Sequence, residues 1–192
     1  MMTWAIYELL QSHNQEMAEN LLAPEENLDF SEACLREALR KYSVVPTVTR
    51  GATKDIKLDN NVVIPKGSTI MINIQAVHHD DKIWGENAAV RYDPFRFIPP
   101  PKSLETDCSK SLNRNGKVAP FTFLPFIDGP RNCLGQHLAL LESKIVLSQL
   151  MRRYKFELVE SNNDSNFDPR HKYMVPVIPA EGLQVKVNRR TR

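Results

Sequence analysis

The stretch 121-FTFLPFIDGPRNCLGQHLALLESK-144 places one cysteine at the predicted start of a helix. Cys133 lies between Gly129 and Gly135, and Arg131 stands two residues before it. The unpaired N–H groups and positive dipole end of a helix N-terminus stabilise a thiolate over a thiol. The two glycines permit a tight loop whose backbone approaches the sulfur or a flat ligand closely. The pattern therefore favours a chemical role for Cys133, although a lone cysteine is more often a buried structural residue.

A thiolate at a helix start serves as a nucleophile, a redox thiol or a metal ligand. A nucleophile needs a base, and nothing in the sequence positions His137, one helical turn later. A redox thiol needs a C-x-x-C partner, which the sequence lacks. Zinc needs three or four ligands, and the pair His78-His79 is far from Cys133 along the chain. A single axial thiolate to a heme iron requires only one cysteine and fits best.

Composition limits the function class. A chain of 192 residues is long enough for one domain with a buried core. Its 25 Lys+Arg nearly balance its 23 Asp+Glu, so we expect no nucleic-acid partner. The sequence contains no apolar run of membrane-spanning length, and its start does not resemble a signal peptide. Its three cysteines, Cys34, Cys108 and Cys133, are dispersed, which is typical of a reducing compartment.

Hydrophobic periodicity predicts a mainly α fold with small antiparallel β-sheets. Residues 3–22 and 30–42 show helical patterns, and Asp29 or Ser31 is the expected cap of the second helix. The segment 44–74 consists of short β-branched runs separated by turn residues, which indicates a small antiparallel sheet. Further predicted segments are a meander at 84–120, a long helix from about 135 to 154, and two strands around a turn at 179–182.

Three motifs together resemble the cytochrome P-450 family. The sequence FIDGPRNCLG (126–135) matches the heme-binding loop F-x-x-G-x-R-x-C-x-G of that family. Glu37–Arg40 is similar to its E-x-x-R helix, and Pro94–Phe97 is similar to its P-x-R-F segment. A Glu and an Arg three residues apart decorate many helices, so the ordered set carries the resemblance. Eukaryotic microsomal members are the most similar, and the chain resembles the C-terminal, heme-binding portion of the fold.

The resemblance implies one partial P-450-like domain over residues 1–192. Its expected parts are helices with the E-x-x-R motif at 1–43, a small sheet at 44–76, a meander at 77–120, the heme-ligand loop at 121–135, a long helix at 136–155 and C-terminal strands at 156–192.

The resemblance also implies cofactor contacts. Cys133 would be the axial thiolate of a heme b iron. Gly135 would let its N–H approach the sulfur, and Phe126 and Ala139 would pack beside the porphyrin. Arg131 and Arg50 would pair with the heme propionates. The implied cofactor-binding residues are Arg50, Phe126, Arg131, Cys133, Gly135 and Ala139, with Cys133 as the metal ligand.

Other residues would support the heme or line the substrate pocket. Glu37, Arg40 and Arg96 would form a buried ion network that holds geometry rather than adding stability. The weaker prediction is a substrate pocket with a far wall at 174–178 and a near wall made of Val45, Pro46, Thr47, Val48 and Thr49. Ordinary strand core is the alternative interpretation of both walls. Ser43 stands where the family often has proline, and Ile127 where a small residue is usual.

The implied activity is a heme-thiolate monooxygenase that inserts one atom of O₂ into a small lipophilic substrate. Electrons would come from NADPH through a flavin-containing reductase or another electron donor. The parent would lie on the cytosolic face of the endoplasmic reticulum membrane, associated only through an N-terminal anchor that is missing here. No catalytic residue is assigned, because the family's oxygen-activating threonine precedes the segment that MTWAIYELL resembles.

The sequence leaves two alternatives to an enzyme: a non-catalytic heme-binding or redox-partner-docking module, and an inactive truncated product. If the rest of such a fold is missing, apolar side chains that it would cover should form a contiguous exposed patch. The expected members are Trp4, Ile6 and the side of the long helix that carries Ala139 and Leu140.

Overall fold

The computed structural model combines helices with small antiparallel sheets. It describes residues 1–11, 14, 28–59, 61–98, 119–159, 171–172, 177–179 and 182–190. The helices are α1 (Met2–Leu9), α2 (Leu28–Lys41), α3 (Ile74–His78), α4 (Asp81–Trp84), a 3-10 helix (Pro94–Phe97) and α5 (Gln136–Arg153). The strands are β1 (Thr47–Gly51), β2 (Ile56–Lys57), β3 (Val63–Ile64), β4 (Thr69–Asn73), β5 (Tyr154–Leu158), β6 (His171–Lys172), β7 (Ile178–Pro179) and β8 (Val185–Arg189).

The described strands form four two-stranded antiparallel sheets, and two of them lie in 44–74, where a single small sheet was predicted. Within that segment β1 pairs with β4, placing Thr49 opposite Met71, while β2 pairs separately with β3. In the tail β5 pairs with β8, and β6 pairs with β7. The two strands around the turn at 179–182 therefore belong to different sheets, because each finds its backbone partner in an earlier segment.

The core forms where α2 packs against α1, α5 and the 3-10 helix. Apolar side chains one turn apart on α2, at Phe30, Cys34 and Ala38, are buried there, which is the helical spacing of a core-facing stripe. The ends of α2 also suit the helix dipole, since Asp29 lies in its first turn and Arg40 in its last. Helix α2 is thus the central element against which the others are positioned.

Two predicted helix boundaries differ from the structure. Helix α2 begins at Leu28, so Asp29 and Ser31 lie inside it and neither is its cap. Helix α5 ends at Arg153 rather than at 154 or 155, because strand β5 begins at Tyr154. The side chains from Tyr154 to Leu158 alternate between half-buried and exposed, which is the pattern of a strand. The first predicted helix, 3–22, is described only in part, and α1 ends at Leu9.

The segment after the first sheet departs from the predicted sheet range of 44–76. Strand β4 ends at Asn73, whose side chain accepts a hydrogen bond from the Ala76 N–H (3.0 Å) and caps α3. The predicted meander contains α4 and the 3-10 helix within its described part, 77–98 and 119–120. Its residues 99–118 lie outside the described part of the chain.

The predicted exposed apolar patch is wrong at Trp4. Its indole is 1% exposed and stacks on the ring of Tyr42 at 4.1 Å between centroids. Ile6 is partly buried against the core, and Ala139 and Leu140 are half-buried. The large apolar side chains that are exposed on α5 and just before it are other residues: Leu134, Leu138, Leu141 and Ile145.

Candidate functional site

The loop before α5 is closed by its own backbone. The Cys133 N–H donates to the Phe126 carbonyl (2.9 Å), and the Asn132 N–H donates to the Gly129 carbonyl (3.0 Å). Gly129 has φ +82°, a conformation that side chains rarely tolerate, so glycine is required at this turn. The loop is therefore closed by its own backbone hydrogen bonds up to the cysteine.

Cys133 is an exposed free cysteine three residues before Gln136, the first residue of helix α5. Its neighbour Leu134 is fully exposed, and Leu138 one turn later is 67% exposed. A Cβ built on Gly135 would meet no atom within 4 Å, which shows that the space beside the loop is open. The thiol thus lies on an open surface with apolar neighbours.

The other predicted cofactor-binding residues are distributed around this loop. Arg131 is exposed within it, and Ala139 is half-buried in the second turn of α5. Phe126 is half-buried and supplies the carbonyl that binds the Cys133 N–H. Arg50 lies on β1, where its guanidinium donates to the Thr49 carbonyl (2.8 Å). Among the described contacts, no hydrogen bond joins Arg50 to the loop.

The structure brings Glu37, Arg40 and Arg96 together. Arg40 donates to both carboxylate oxygens of Glu37 at 2.8 Å, and Arg96 Nε donates to Glu37 Oε1 at 3.2 Å. Glu37 Oε1 also accepts the Asp93 N–H (2.9 Å). The side chains of Glu37 and Arg40 are both 0% exposed. The buried carboxylate is therefore neutralised and fully hydrogen-bonded, which is what a buried charge requires.

Arg40 extends this network to the segment after α3. Its Nη1 donates to the carbonyls of His78 (2.7 Å) and Ala88 (2.8 Å), and its Nη2 donates to the Arg91 carbonyl (2.9 Å). Arg96 Nη1 donates to the Trp84 carbonyl (2.7 Å). Two guanidinium groups thereby bind the carbonyls of the last residues of α3 and α4 and two carbonyls of the segment that follows α4.

The predicted substrate-pocket walls are adjacent but only partly described. The Val177 N–H donates to the Val44 carbonyl (2.9 Å), next to the near wall at 45–49. Val45, Pro46 and Val48 are half-buried, whereas Thr47 and Thr49 are exposed. Of the far wall, 174–176 lie outside the described residues.

Helix α5 is tied to α2 beside the loop. Lys144 Nζ lies 3.1 Å from Glu32 Oε2, and Glu32 also pairs with Arg36 at 2.8 Å. Between the two helices and the loop lies a small cavity, too small for a cofactor. It is lined by Arg36, Leu39, Phe123, Pro125, Phe126, Ile127, Gln136 and Leu140.

The described residues contain no cluster of three or more His, Cys, Asp or Glu side chains able to hold a metal ion. His78 is buried and hydrogen-bonded to Ser43 (2.9 Å), so its ring is not available to Cys133. The described residues therefore do not offer Cys133 the further ligands that a zinc site needs, whereas a heme iron would need only one cysteine from this chain. The donor set fits heme better than zinc.

Comparison with known proteins shows the family of the chain. A family model, Cytochrome P450, matches residues 3–187. The chain belongs to the cytochrome P450 family. It is similar to human cytochrome P450 4F8 (34% identity over 169 residues, 80% of this chain and 30% of the relative). It is also similar to human cytochrome P450 4F12 (35% over 160 residues, 83% and 26%) and mouse cytochrome P450 3A11 (36% over 130 residues, 68% and 23%).

This P450 chain spans less than a third of the length of these curated relatives. No helix in its described part is long and apolar enough to cross a membrane. One connection in the P450 site was not predicted from the sequence: the ring of His78, which accepts a hydrogen bond from the Leu124 N–H (2.8 Å). The sequence showed only two adjacent histidines, and their spacing carries no signal of which one is buried.

Proposed function

We propose that Cys133 is the axial thiolate of a heme b iron in a P450 monooxygenase. The observation that carries this proposal is the exposed thiol of Cys133 on a closed loop, beside open space and the exposed side chain of Leu134. A porphyrin is a flat, largely apolar ligand with two carboxylates. The apolar surface suits its ring, and Arg131 is an exposed cation for a propionate.

When bound, the heme supplies the activation of O₂ from which one oxygen atom is inserted into a substrate. The chain's own contribution is binding and orientation. The thiolate of Cys133 would hold the iron and donate electron density to it, and the hydrogen bond from the Cys133 N–H to the Phe126 carbonyl positions the backbone that carries the sulfur. Arg50 is proposed as the second propionate ligand. Gly135 would leave room beside the sulfur, and the small side chain of Ala139 would let the porphyrin lie close to the helix.

The substrate is proposed to be a small lipophilic molecule that passes near residues 45–49. One relative, 32% identical over 131 residues, is named an ultra-long-chain fatty acid omega-hydroxylase, which makes a long-chain fatty acid the first substrate to test. The electrons are proposed to come from NADPH through a flavin-containing reductase. The full-length protein is proposed to lie on the cytosolic face of the endoplasmic reticulum.

The test is to express the 192-residue chain with hemin and record the reduced carbon-monoxide difference spectrum. A thiolate-type Soret band is expected for the parent and for Cys34→Ala, the control that removes a buried thiol. Cys133→Ser should lose the band while its helical circular dichroism stays the same, because a serine hydroxyl is a poor iron ligand. A thiolate band that survives in Cys133→Ser contradicts the assignment.

Turnover is tested on the same preparation with NADPH, a flavin reductase and a fatty acid. Hydroxylated product that depends on Cys133 supports a monooxygenase. A thiolate band without product supports a heme-binding or partner-docking module and contradicts catalysis by this chain.

A further inference from the structure

The imidazole of His78 connects three parts of the fold. His78 is the last residue of α3 and is 0% exposed. Its Nδ1 lies 2.9 Å from the Ser43 hydroxyl, just after α2, and its Nε2 accepts a hydrogen bond from the Leu124 N–H at 2.8 Å. Leu124 stands two residues before Phe126 in the heme-ligand loop, residues 121–135, which is called the thiolate loop from here on. One ring therefore spans from the end of the central helix to the loop.

The partners of the ring determine its tautomer. A backbone N–H only donates, so the Nε2 atom that faces Leu124 must carry the lone pair. In a neutral imidazole the proton is then on Nδ1, which donates to the Ser43 hydroxyl oxygen. An imidazolium would direct a second N–H at the Leu124 N–H and lose this bond. Burial and the nearby Arg40 charge lower the pKa of His78 to about 3, so the ring stays neutral.

His78 also contacts the buried ion network through its backbone carbonyl and the loop through the face of its ring. Its carbonyl accepts a hydrogen bond from Arg40 (2.7 Å), and its ring packs against Phe123 at 5.5 Å between centroids. Beyond Leu124, the Leu124 carbonyl accepts the Ile127 N–H (3.1 Å), and the Phe126 carbonyl accepts the Cys133 N–H. A continuous path of hydrogen bonds and backbone thus leads from the network to Cys133.

We infer that His78 is a positioning residue for the thiolate loop, with Ser43 fixing its ring so that Nε2 holds the Leu124 N–H. The inference rests on the proposed function only in naming Cys133 as the heme ligand, since the tether itself is a property of the apoprotein.

The test is single-residue amide hydrogen exchange on the full 192-residue chain without heme. His78→Phe keeps a buried ring but removes both hydrogen-bonding nitrogens. His78→Gln places an amide oxygen near the former Nε2 position. His79→Phe is the matched control, because the His79 ring bonds to the Lys41 carbonyl (2.8 Å) and not to the loop.

Exchange of the Leu124 amide should rise about tenfold or more in His78→Phe, since loss of one hydrogen bond of ordinary strength opens the segment locally. The rise should be confined to the loop, largely reversed in His78→Gln and absent in His79→Phe. Unchanged exchange at Leu124, or an equal rise in the glutamine variant, would overturn the inference. If His78→Phe unfolds as a whole, the glutamine variant alone decides: retained protection at Leu124 supports the tether, and lost protection overturns it.

A second measurement on the unmodified chain needs no variant. The ¹⁵N shifts of the His78 ring should show the proton on Nδ1, and a proton on Nε2 would overturn the inference. Neither measurement needs heme. A chain that has the tether but gives no thiolate spectrum would refute the proposed function and leave the role of His78 intact.

Discussion

Arg40 donates two hydrogen bonds of 2.8 Å to the carboxylate of Glu37, one helical turn before it, and neither side chain is exposed. The pair would be costly on its own, because both charges are removed from water. Its remaining donors and acceptors are used by backbone groups of the segment 78–93, so the pair fixes that segment on α2. The pair is therefore a geometric anchor near the candidate site.

Glu37→Ala should lower the free energy of unfolding by about 3–5 kcal/mol, because it leaves the buried cation Arg40 without its counter-charge. Urea denaturation followed by circular dichroism measures this. The matched control is Glu32→Ala on the same helix, whose carboxylate is partly exposed and pairs with Arg36. It should cost less than about 1 kcal/mol. Equal losses in the two variants would contradict the role of the buried network.

The stability of the chain should fall on mild acidification because of His78. Burial, with Arg40 and His79 nearby, lowers the pKa of His78 from 6.5 to about 3 in the folded state. Between these values the unfolded chain binds the extra proton, so stability present above pH 6.5 is lost as the pH falls toward 3. The limiting slope is about 1.4 kcal/mol per pH unit.

Urea denaturation midpoints measured between about pH 7 and pH 5 give this slope. Most carboxylates titrate below this pH range and therefore contribute little to it. His78→Gln is the control and should show a weaker dependence, since glutamine does not titrate. A glutamine variant with the same pH dependence as the parent would assign the effect to other groups.

The two described cysteines should differ in reactivity. Cys133 is exposed, whereas Cys34 is fully buried and burial raises the pKa of its thiol to about 12. Iodoacetamide should therefore alkylate Cys133 readily in the folded apoprotein and leave Cys34 unmodified. Peptide mass spectrometry measures both sites, and the urea-denatured chain is the control in which both react. Alkylation of Cys34 at the rate of Cys133 in the folded chain would be incompatible with this core.

Ile127 adopts φ +64° in the thiolate loop, an unfavourable conformation for a β-branched residue. Ile127→Gly should therefore be more stable than Ile127→Ala by roughly 1–2 kcal/mol, because only glycine adopts this backbone without strain. The two variants remove nearly the same apolar contacts, so each is the control for the other. Thermal unfolding measures the difference, and an alanine variant as stable as the glycine variant would show that the loop is unstrained at this position.

Local patterns in the sequence were sufficient to predict the loop and its helix. Glycine, proline and arginine spacing around Cys133 acts over ten residues, and the helical apolar pattern after Gly135 follows from the same short range. The family was predicted correctly for this reason, and the described residues contain helices and small antiparallel sheets as predicted. The functional roles of Arg50, Ala139 and residues 45–49 remain predictions, because they depend on a ligand on the surface of the fold.

Only the tertiary structure decided which partners meet. The strands β1 to β4 could pair in several registers. The alternation of side chains along the sequence did not reveal that these four strands divide into two sheets. Trp4 could face solvent or the core, and its stacking on Tyr42 depends on how α1 lies against α2. The sequence by itself determined that Cys133 stands in a glycine-bounded loop before a helix, because those features are encoded by neighbouring residues. Its role as a heme ligand stays a prediction. The hydrogen bond between the His78 ring and the Leu124 N–H joins residues 46 positions apart in the chain. No local sequence pattern encodes such a contact, so only the tertiary structure decided it.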